Sequence, residues 1–125
     1  MTASDRAIAL TQVAASAADA KQGGDLVALD VSGPLPLTDV FLLVTGRNER
    51  QVQAIAGEIE DKLIEAGAKP LRREGRAEGR WVLLDFGDLV VHVFHEEERL
   101  FYSLERLWKD CPVVPLTLGE HPVDA

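Results

Sequence analysis

The feature that most constrains the fold of this chain is a pair of apolar runs joined by Gly87-Asp88, within residues 80–108. Glycine at the first of two central positions suits a type II′ turn, which joins antiparallel strands in a hairpin. With that turn, three apolar pairs face each other across the hairpin: Phe86 with Leu89, Leu84 with Val91 and Val82 with Val93. Because side chains alternate between the two faces of a strand, this face is predicted to lie in the hydrophobic core.

The opposite face of the hairpin mixes large apolar side chains with two titratable groups. It comprises Trp81, Leu83 and Asp85 on the first strand and Val90, His92 and Phe94 on the second. Burial of a carboxylate or an imidazole without a hydrogen-bond partner costs free energy. We therefore expect this mixed face to be partly solvated or covered by polar groups.

The sequence after the hairpin predicts a helix. Three glutamates, residues 96–98, suit the positive end of a helix dipole, and leucines follow with helical spacing at positions 100, 104 and 107. The residues largely outside this leucine stripe are Arg99, Tyr102, Glu105 and Arg106. This polar helix face could continue the mixed sheet face as one surface.

The rest of the chain completes a single domain. Helices are predicted over residues 4–22 and 48–67, and strands over residues 25–31, 39–45 and, at a sheet edge because of Pro70, within 68–73. The order α-β-β-α-β-β-β-α predicts an α/β or α+β fold with one mixed sheet, and its strand-helix-strand unit predicts a parallel crossover. The domain is predicted to span residues 1–110. Residues 111–125 contain three prolines and are predicted to form an extended or mobile C-terminal tail.

Charge and composition limit the possible functions. The formal net charge of −8 opposes binding to a nucleic-acid backbone and favours a basic partner. No apolar run reaches the ~18 residues of a membrane span. The single cysteine, Cys111, excludes an internal disulfide and indicates a reducing compartment. With no signal-peptide or transit-peptide pattern at the N-terminus, we expect an acidic cytoplasmic protein.

Several motifs admit a chemical interpretation that the surrounding sequence disfavours. Asp85-Phe86-Gly87 matches the DFG triplet of kinases, but the chain lacks the glycine-rich and HRD-type loops of a kinase. His92 and His95 with Glu96 and Glu98 could suggest a metal site, but strand alternation points the two histidines in opposite directions. Cys111 has no candidate base nearby in sequence. We therefore interpret Asp85-Phe86-Gly87 as part of a hairpin turn. We interpret the histidines as one imidazole at the surface or an interface, and not as metal ligands.

Asp39 and a group of arginines leave alternatives open. Nucleotidyltransferase-like folds hold Mg²⁺ with a pair of acids on such a strand, whereas the second position here is Phe41. A metal-dependent nucleotidyltransferase-like enzyme is therefore the alternative function. Four arginines form a basic island at positions 72, 73, 76 and 80. The island is either a solvated loop interleaved with glutamates or a contact to RNA phosphates.

Specific motifs then suggest a family. They are the pair Glu74-Gly75, the run WVLLDFGDLVVHVF, Arg99, Phe101-Tyr102 and LERLW, with LVALDVS and TDVFLLVTGRNERQVQAIA upstream. Over about residues 5–110 the chain resembles the ribosomal silencing factor family, also called Iojap-like proteins. The resemblance implies a mixed, about five-stranded sheet flanked by helices. It also implies a nucleotidyltransferase-like fold without the catalytic acids.

The same resemblance implies a function without catalysis or cofactors. A cytoplasmic bacterial protein, or an organellar relative, would bind the large ribosomal subunit through ribosomal protein fourteen. It would sterically block joining with the small subunit and repress translation when nutrients are limited, in stationary phase for example. We expect little direct RNA contact, no membrane association, and a possible homodimer when the protein is free. The absence of a transit-peptide pattern favours a bacterial source.

A set of eight residues is predicted to bind the partner. Apolar anchors would be Trp81, Leu83, Phe94 and Tyr102. Asp85 and Glu105 would face a basic ribosomal protein, and His92 and Arg99 would donate hydrogen bonds.

Overall fold

The part of the chain that the structure describes contains three helices and five strands in the predicted order. The computed structural model describes residues 2–102, 106 and 108–118. The helices are α1 (Asp5–Ala20), α2 (Glu49–Glu65) and α3 (Glu96–Tyr102). The strands are β1 (Gly24–Asp30), β2 (Val40–Gly46), β3 (Arg72–Glu74), β4 (Trp81–Asp85) and β5 (Leu89–His95).

The strands form one mixed sheet in the order β1-β2-β5-β4-β3, which confirms the predicted fold class. Strands β2 and β5 are parallel, and the other neighbouring pairs are antiparallel. Strand β3 therefore runs in the same direction as β2, so the connection through α2 is the predicted parallel crossover. Strand β3 lies at the edge beyond Pro70, with all three residues exposed, as the proline indicated.

The β4–β5 hairpin has the predicted turn and register. Phe86 N donates to Leu89 O at 2.9 Å across the turn. Gly87 has a φ of 87° and Asp88 does not have a positive φ, which is the type II′ combination. Two of the apolar pairs predicted for the core, Val82 with Val93 and Leu84 with Val91, lie opposite each other and are buried.

Hydrogen bonds of side chains define the start of α1 and attach it to the sheet. Ser4 caps α1, because its Oγ accepts from Ala7 N at 3.1 Å. Asp39 Oδ2 accepts from Ser4 N at 2.8 Å, and Asp30 Oδ2 accepts from Ala3 N at 2.8 Å. Burial raises the pKa of Asp30, but hydrogen bonds from Ser32 and from the backbone of Ala3 and Ser32 outweigh this effect and hold the pKa below its usual value. The start of the chain is thus attached to the ends of β1 and β2.

Apolar side chains pack on both faces of the sheet. On one face α1 and α2 cover the sheet, and Leu42, Leu84 and Val91 are fully buried there. On the other face a second core cluster contains Leu29, Val31, Leu43 and Phe94, with Phe41, Trp81, Trp108 and Cys111 packed against it. The sheet is therefore sandwiched, and the second layer comes from α3 and the residues that follow it.

The first part of the predicted tail runs beside β1. Asp30 N donates to Pro112 O and Val114 N donates to Ala28 O, each at 2.8 Å. Thr117 N donates to Gln12 Oε1 of α1 at 2.9 Å. These contacts cover the outer edge of β1, where unpaired backbone groups would otherwise be exposed. The mobility predicted for the last residues of the tail, 119–125, concerns positions outside the described part of the chain.

No helix within the described ranges is long and apolar enough to cross a membrane.

Candidate functional site

A half-exposed strip on β4 is the main candidate site. Along β4, the half-buried residues Trp81, Leu83 and Asp85 alternate with the buried residues Val82 and Leu84. A cleft of about 340 Å³ lies beside the strip and is lined by Glu74, Gly75, Trp81 and Leu83. We call it the Trp81 cleft. An aromatic and an aliphatic side chain next to two carboxylates form a surface that suits a protein partner with apolar and basic groups.

Gly75 shapes the Trp81 cleft through its backbone. Its φ is 82°, a conformation that other residues rarely adopt. A Cβ on Gly75 would overlap the carbonyl oxygen of Trp81, far inside van der Waals contact. Only glycine therefore allows the turn after β3 to lie against the start of β4.

We expect Gly75→Ala to destabilise the fold and distort the Trp81 cleft. Strain at a positive φ costs about 1–2 kcal/mol, and the overlap with a backbone oxygen adds to it. The matched control is Gly67→Ala, because Gly67 has a φ of 94° but a Cβ added there would meet no heavy atom within 4 Å. Urea unfolding should show a larger loss for Gly75→Ala than for Gly67→Ala. Equal losses would contradict the close approach to Trp81.

The indole of Trp81 is held from behind by two residues of β5. Its Nε1 donates to His92 Nδ1 at 3.1 Å. Its ring lies 5.0 Å from the Phe94 ring, centroid to centroid, at an angle of 38°. Aromatic contacts at this separation are favourable, and a buried indole N–H usually has an acceptor. Trp81 is thus both part of the core and part of the surface.

His92 is buried, contrary to the expectation of a surface imidazole. Only 6% of the residue is exposed. Its ring lies 5.0 Å from the Phe41 ring in an edge-on arrangement and 5.9 Å from the Phe94 ring in a stack. Burial lowers the pKa of His92 to about 4, so the side chain is neutral at neutral pH. Since Nδ1 accepts from Trp81, the ring proton lies on Nε2, and this atom has no hydrogen-bond partner in the described structure.

Phe94 and Arg99 also lie inside the molecule. Phe94 is fully buried, and Arg99 is 8% exposed. The Arg99 guanidinium donates to Thr45 Oγ1 and to Asp25 O, each at 2.9 Å, and its Cζ lies 5.9 Å from the centroid of the Phe94 ring. Arg99 therefore attaches α3 to β1 and β2. The β5 half of the mixed face is therefore buried rather than partly solvated, and Arg99 supplies over Phe94 the polar cover that was the other expected arrangement.

The remaining predicted site residues are only partly described. Asp85 is half-buried, and its Oδ1 accepts from Gly87 N at 2.8 Å, which reinforces the hairpin turn. Tyr102 is the last residue of α3 in the described structure, without a described side chain, and Glu105 lies outside the described residues. The structure thus brings Trp81, Leu83 and Asp85 together at the surface and places His92, Phe94 and Arg99 behind them.

Carboxylates pair with every arginine of the basic island. Arg72 pairs with Glu74 at 3.3 Å. Arg73 and Arg76 both contact the buried Glu60. Arg80 contacts glutamates at positions 49, 97 and 98. These ion pairs support the structural interpretation of the island over a contact with RNA phosphates, because its charge is compensated within the chain.

Asp39 and Phe41, the positions compared with the acids of a nucleotidyltransferase, are both used structurally. Asp39 accepts the backbone N–H of Ser4, as described above, and Phe41 packs edge-on against the Trp108 ring at 5.5 Å. In the described ranges, no three His, Cys, Asp or Glu side chains are placed to hold a metal ion.

Comparison with known proteins then decides the family. The family model for ribosomal silencing factor during starvation matches residues 4–125. The chain belongs to this family. The family match continues past residue 110, so a boundary between domain and tail at that position stays a prediction.

Other members of the ribosomal silencing factor family are similar over most of the chain. The Bacillus subtilis ribosomal silencing factor is 47% identical over 110 residues, which is 88% of this chain and 93% of the relative. Protein Iojap of Zea mays chloroplasts is 30% identical over 105 residues, 82% of this chain and 44% of that protein. The name of the Bacillus subtilis relative denotes a regulatory role.

Solved structures agree with the fold. A crystal structure of a Bacillus halodurans protein matches with a TM-score of 0.77 and 46% identity, over 86% of this chain and 98% of that one. A crystal structure of a Chromobacterium violaceum protein matches with a TM-score of 0.79 and 38% identity, over 81% of this chain and 84% of that one.

Two residues that line the Trp81 cleft were not among the predicted site residues. Glu74 and Gly75 were recognised as a family motif but were not assigned to the surface. The available signal was Gly75 itself, since a glycine beside a predicted strand often marks a close approach of two backbone segments.

Proposed function

We propose that the chain binds the large ribosomal subunit through ribosomal protein fourteen and blocks joining with the small subunit. The effect would be to repress translation under nutrient limitation, in the cytoplasm. The observation that carries this proposal is the half-exposed strip of Trp81, Leu83 and Asp85 beside the Trp81 cleft. It is supported by the family name, since the relatives are ribosomal silencing factors.

Size and charge support a steric mechanism. A folded chain of this length has a radius of gyration of ~14 Å, and a specific interface takes ~800 Å² of one partner's surface. Two subunits that must touch cannot join while a body of this size occupies the contact face. The net charge of −8 favours a basic ribosomal protein over RNA phosphates as the direct partner. Neither a catalytic residue nor a cofactor is needed for such a block.

We propose different roles for the predicted site residues, according to their exposure in the described structure. Trp81 and Leu83 would be the apolar anchors, and Asp85 would face basic groups of the partner. Tyr102 and Glu105 keep the roles predicted from the sequence, as an apolar anchor and as an acid that faces a basic protein. His92, Phe94 and Arg99 would support the surface residues without contacting the partner, because they are buried in the free chain. A homodimer that hides this surface in the free protein is part of the proposal.

A sedimentation experiment with purified ribosomal subunits tests the proposed function. We expect the wild-type chain in excess to migrate with the large subunit alone and to reduce the amount of joined ribosomes. The rival enzymatic function predicts normal joining and a thermal shift with Mg²⁺ and nucleoside triphosphates. Normal joining in the presence of excess chain would contradict the steric block.

A pair of leucine variants tests where the surface lies. We expect Leu83→Ala to weaken binding to the large subunit about tenfold, because Leu83 lies at the centre of the proposed surface and the residues whose truncation costs more than about 1 kcal/mol cluster at the centre of an interface. Leu37→Ala is the matched control, since Leu37 is 84% exposed and remote in sequence from the strip. The measurement is the dissociation constant from co-sedimentation. Equal effects of the two substitutions would contradict an interface on β4.

A charge variant tests the RNA alternative. Arg72→Glu removes an exposed cation of the basic island whose partner, Glu74, is also exposed. Binding driven by phosphates should weaken with this variant and show a steep salt dependence. If the protein surface on β4 is responsible, Arg72→Glu should leave binding to the large subunit within about twofold of wild type, because rim charges contribute little to affinity.

A further inference from the structure

We propose that His92 is a positioning residue, whose Nδ1 orients the indole of Trp81 for contact with the partner. This inference rests on the proposed function, because it concerns the same surface. It differs from the sequence-based prediction, in which His92 itself donated a hydrogen bond to the partner. The buried imidazole is placed to act through Trp81 instead.

The hydrogen bond between the two side chains determines the direction of the indole. An indole has a single N–H donor and no acceptor, so the position of its acceptor decides which way that ring edge points. Here the acceptor is His92 Nδ1, at 3.1 Å from Trp81 Nε1. The two residues lie on neighbouring strands, where Leu83 is the direct partner of His92 and Phe94 the direct partner of Trp81.

Aromatic rings hold the imidazole itself in place. The Phe41 ring meets it edge-on at 5.0 Å, and the Phe94 ring stacks with it at an angle of 12°. Phe94 also contacts the indole directly. Because the imidazole is 6% exposed and packed between rings, its Nδ1 has little freedom to move. The acceptor is therefore fixed relative to the sheet, and the indole with it.

The second ring nitrogen of His92, Nε2, indicates that close packing alone does not explain why a histidine occupies this position. Nε2 is buried and has no hydrogen-bond partner in the described structure. A buried donor without a partner costs free energy, whereas an apolar side chain of similar size would avoid the cost. The hydrogen bond to Trp81 is the interaction that the imidazole provides and an aliphatic side chain cannot.

Orientation of Trp81 before binding should raise affinity. An anchor residue that is already ordered loses less conformational entropy on association than one that must be ordered by the partner. Trp81 lines the cleft, and its N–H donates a hydrogen bond to the buried His92. His92 thus contributes to binding without reaching the partner.

Two substitutions at one position test the proposal. His92→Leu keeps an apolar side chain and removes the acceptor, whereas His92→Asn offers Oδ1 as an acceptor near the position of Nδ1. We expect His92→Leu to weaken binding to the large subunit about fivefold, as loss of side-chain ordering implies. His92→Asn should bind nearly as well as wild type. Far-UV circular dichroism at pH 7 checks that both variants are folded.

The indole N–H signal in ¹⁵N NMR spectra of the free chain gives a second readout. The chain has two tryptophans, and the indole N–H signal of Trp108 is identified because it is absent from the spectrum of Trp108→Phe. The Trp81 signal should exchange slowly with water in wild type and in His92→Asn, and rapidly in His92→Leu. An unchanged signal in His92→Leu, or equal losses of affinity in both variants, would overturn the positioning role.

The outcomes also separate this inference from the proposed function. If wild type does not bind the large subunit, the proposed function fails and the interface role of His92 fails with it. If wild type binds and His92→Leu binds equally well, the positioning role alone is overturned.

Discussion

Replacement of Trp81 with alanine is expected to weaken binding to the large ribosomal subunit by about 30-fold or more, since truncation of a central aromatic anchor costs about 2 kcal/mol or more. Trp81 is half-buried, lines the cleft, and is ordered by His92 and Phe94. The dissociation constant from co-sedimentation measures the loss. In the same preparation, joined ribosomes should reappear at concentrations of the variant at which wild type prevents joining.

Stability must be separated from contact in this experiment. Trp81 packs against the second core cluster, so its truncation also removes buried apolar surface. Thermal unfolding identifies a temperature at which the variant is fully folded, and binding is measured there. Leu37→Ala, at an exposed leucine, serves again as the control. Binding of folded Trp81→Ala within about twofold of wild type would exclude Trp81 as an anchor residue.

Acidification is expected to destabilise the fold through His92. The pKa of this side chain is about 4 in the folded chain, compared with 6.5 for an ordinary histidine. Between these values the unfolded chain binds a proton that the folded chain does not, so the free energy of unfolding falls as pH decreases. A pKa difference of this size corresponds to about 3 kcal/mol, lost mainly between pH 6.5 and 4.

His92→Leu isolates this contribution. At pH 7 the variant should be less stable than wild type, because the hydrogen bond to Trp81 is lost. Near pH 4.5 it should be the more stable protein, since it has no imidazole to protonate. Other titrating groups, such as Asp30, are common to both chains and cancel in the difference. Parallel curves of unfolding free energy against pH would show that His92 is not the responsible group.

Local chemistry explains why the hairpin could be predicted. The type II′ turn depends on the φ of Gly87, and the alternation along β4 and β5 depends on neighbouring residues. The caps of the helices are similarly local, as Asn48 shows by accepting from Gln51 N at 2.8 Å. Strand β3 was placed at an edge because Pro70 cannot donate a ladder hydrogen bond. The turn, the strand alternation and the edge position of β3 were all confirmed.

The burial of His92 could not be predicted in this way. Strand alternation correctly placed it on the same face as Trp81, but alternation does not reveal what lies above a face. The cover comes from residues distant in sequence, such as Phe41 of β2, whose ring meets the imidazole edge-on and also packs against the Trp108 ring. The imidazole therefore lies among aromatic rings, with the Trp81 N–H as its hydrogen-bond donor, rather than in solvent. The internal role of Arg99 was missed for the same reason, since its acceptors lie on β1 and β2.

The sequence by itself determined the element order, the mixed sheet, the hairpin and the family, because these follow from periodicity, turn chemistry and specific motifs. Tertiary structure alone decided which residues of the mixed face reach the surface. Trp81, Leu83 and Asp85 lie on β4, next to the short edge strand β3, whereas His92 and Phe94 lie on β5, between β2 and β4. The physical reason is that exposure depends on strand order and on the layer packed above, and both are set by contacts between distant parts of the chain.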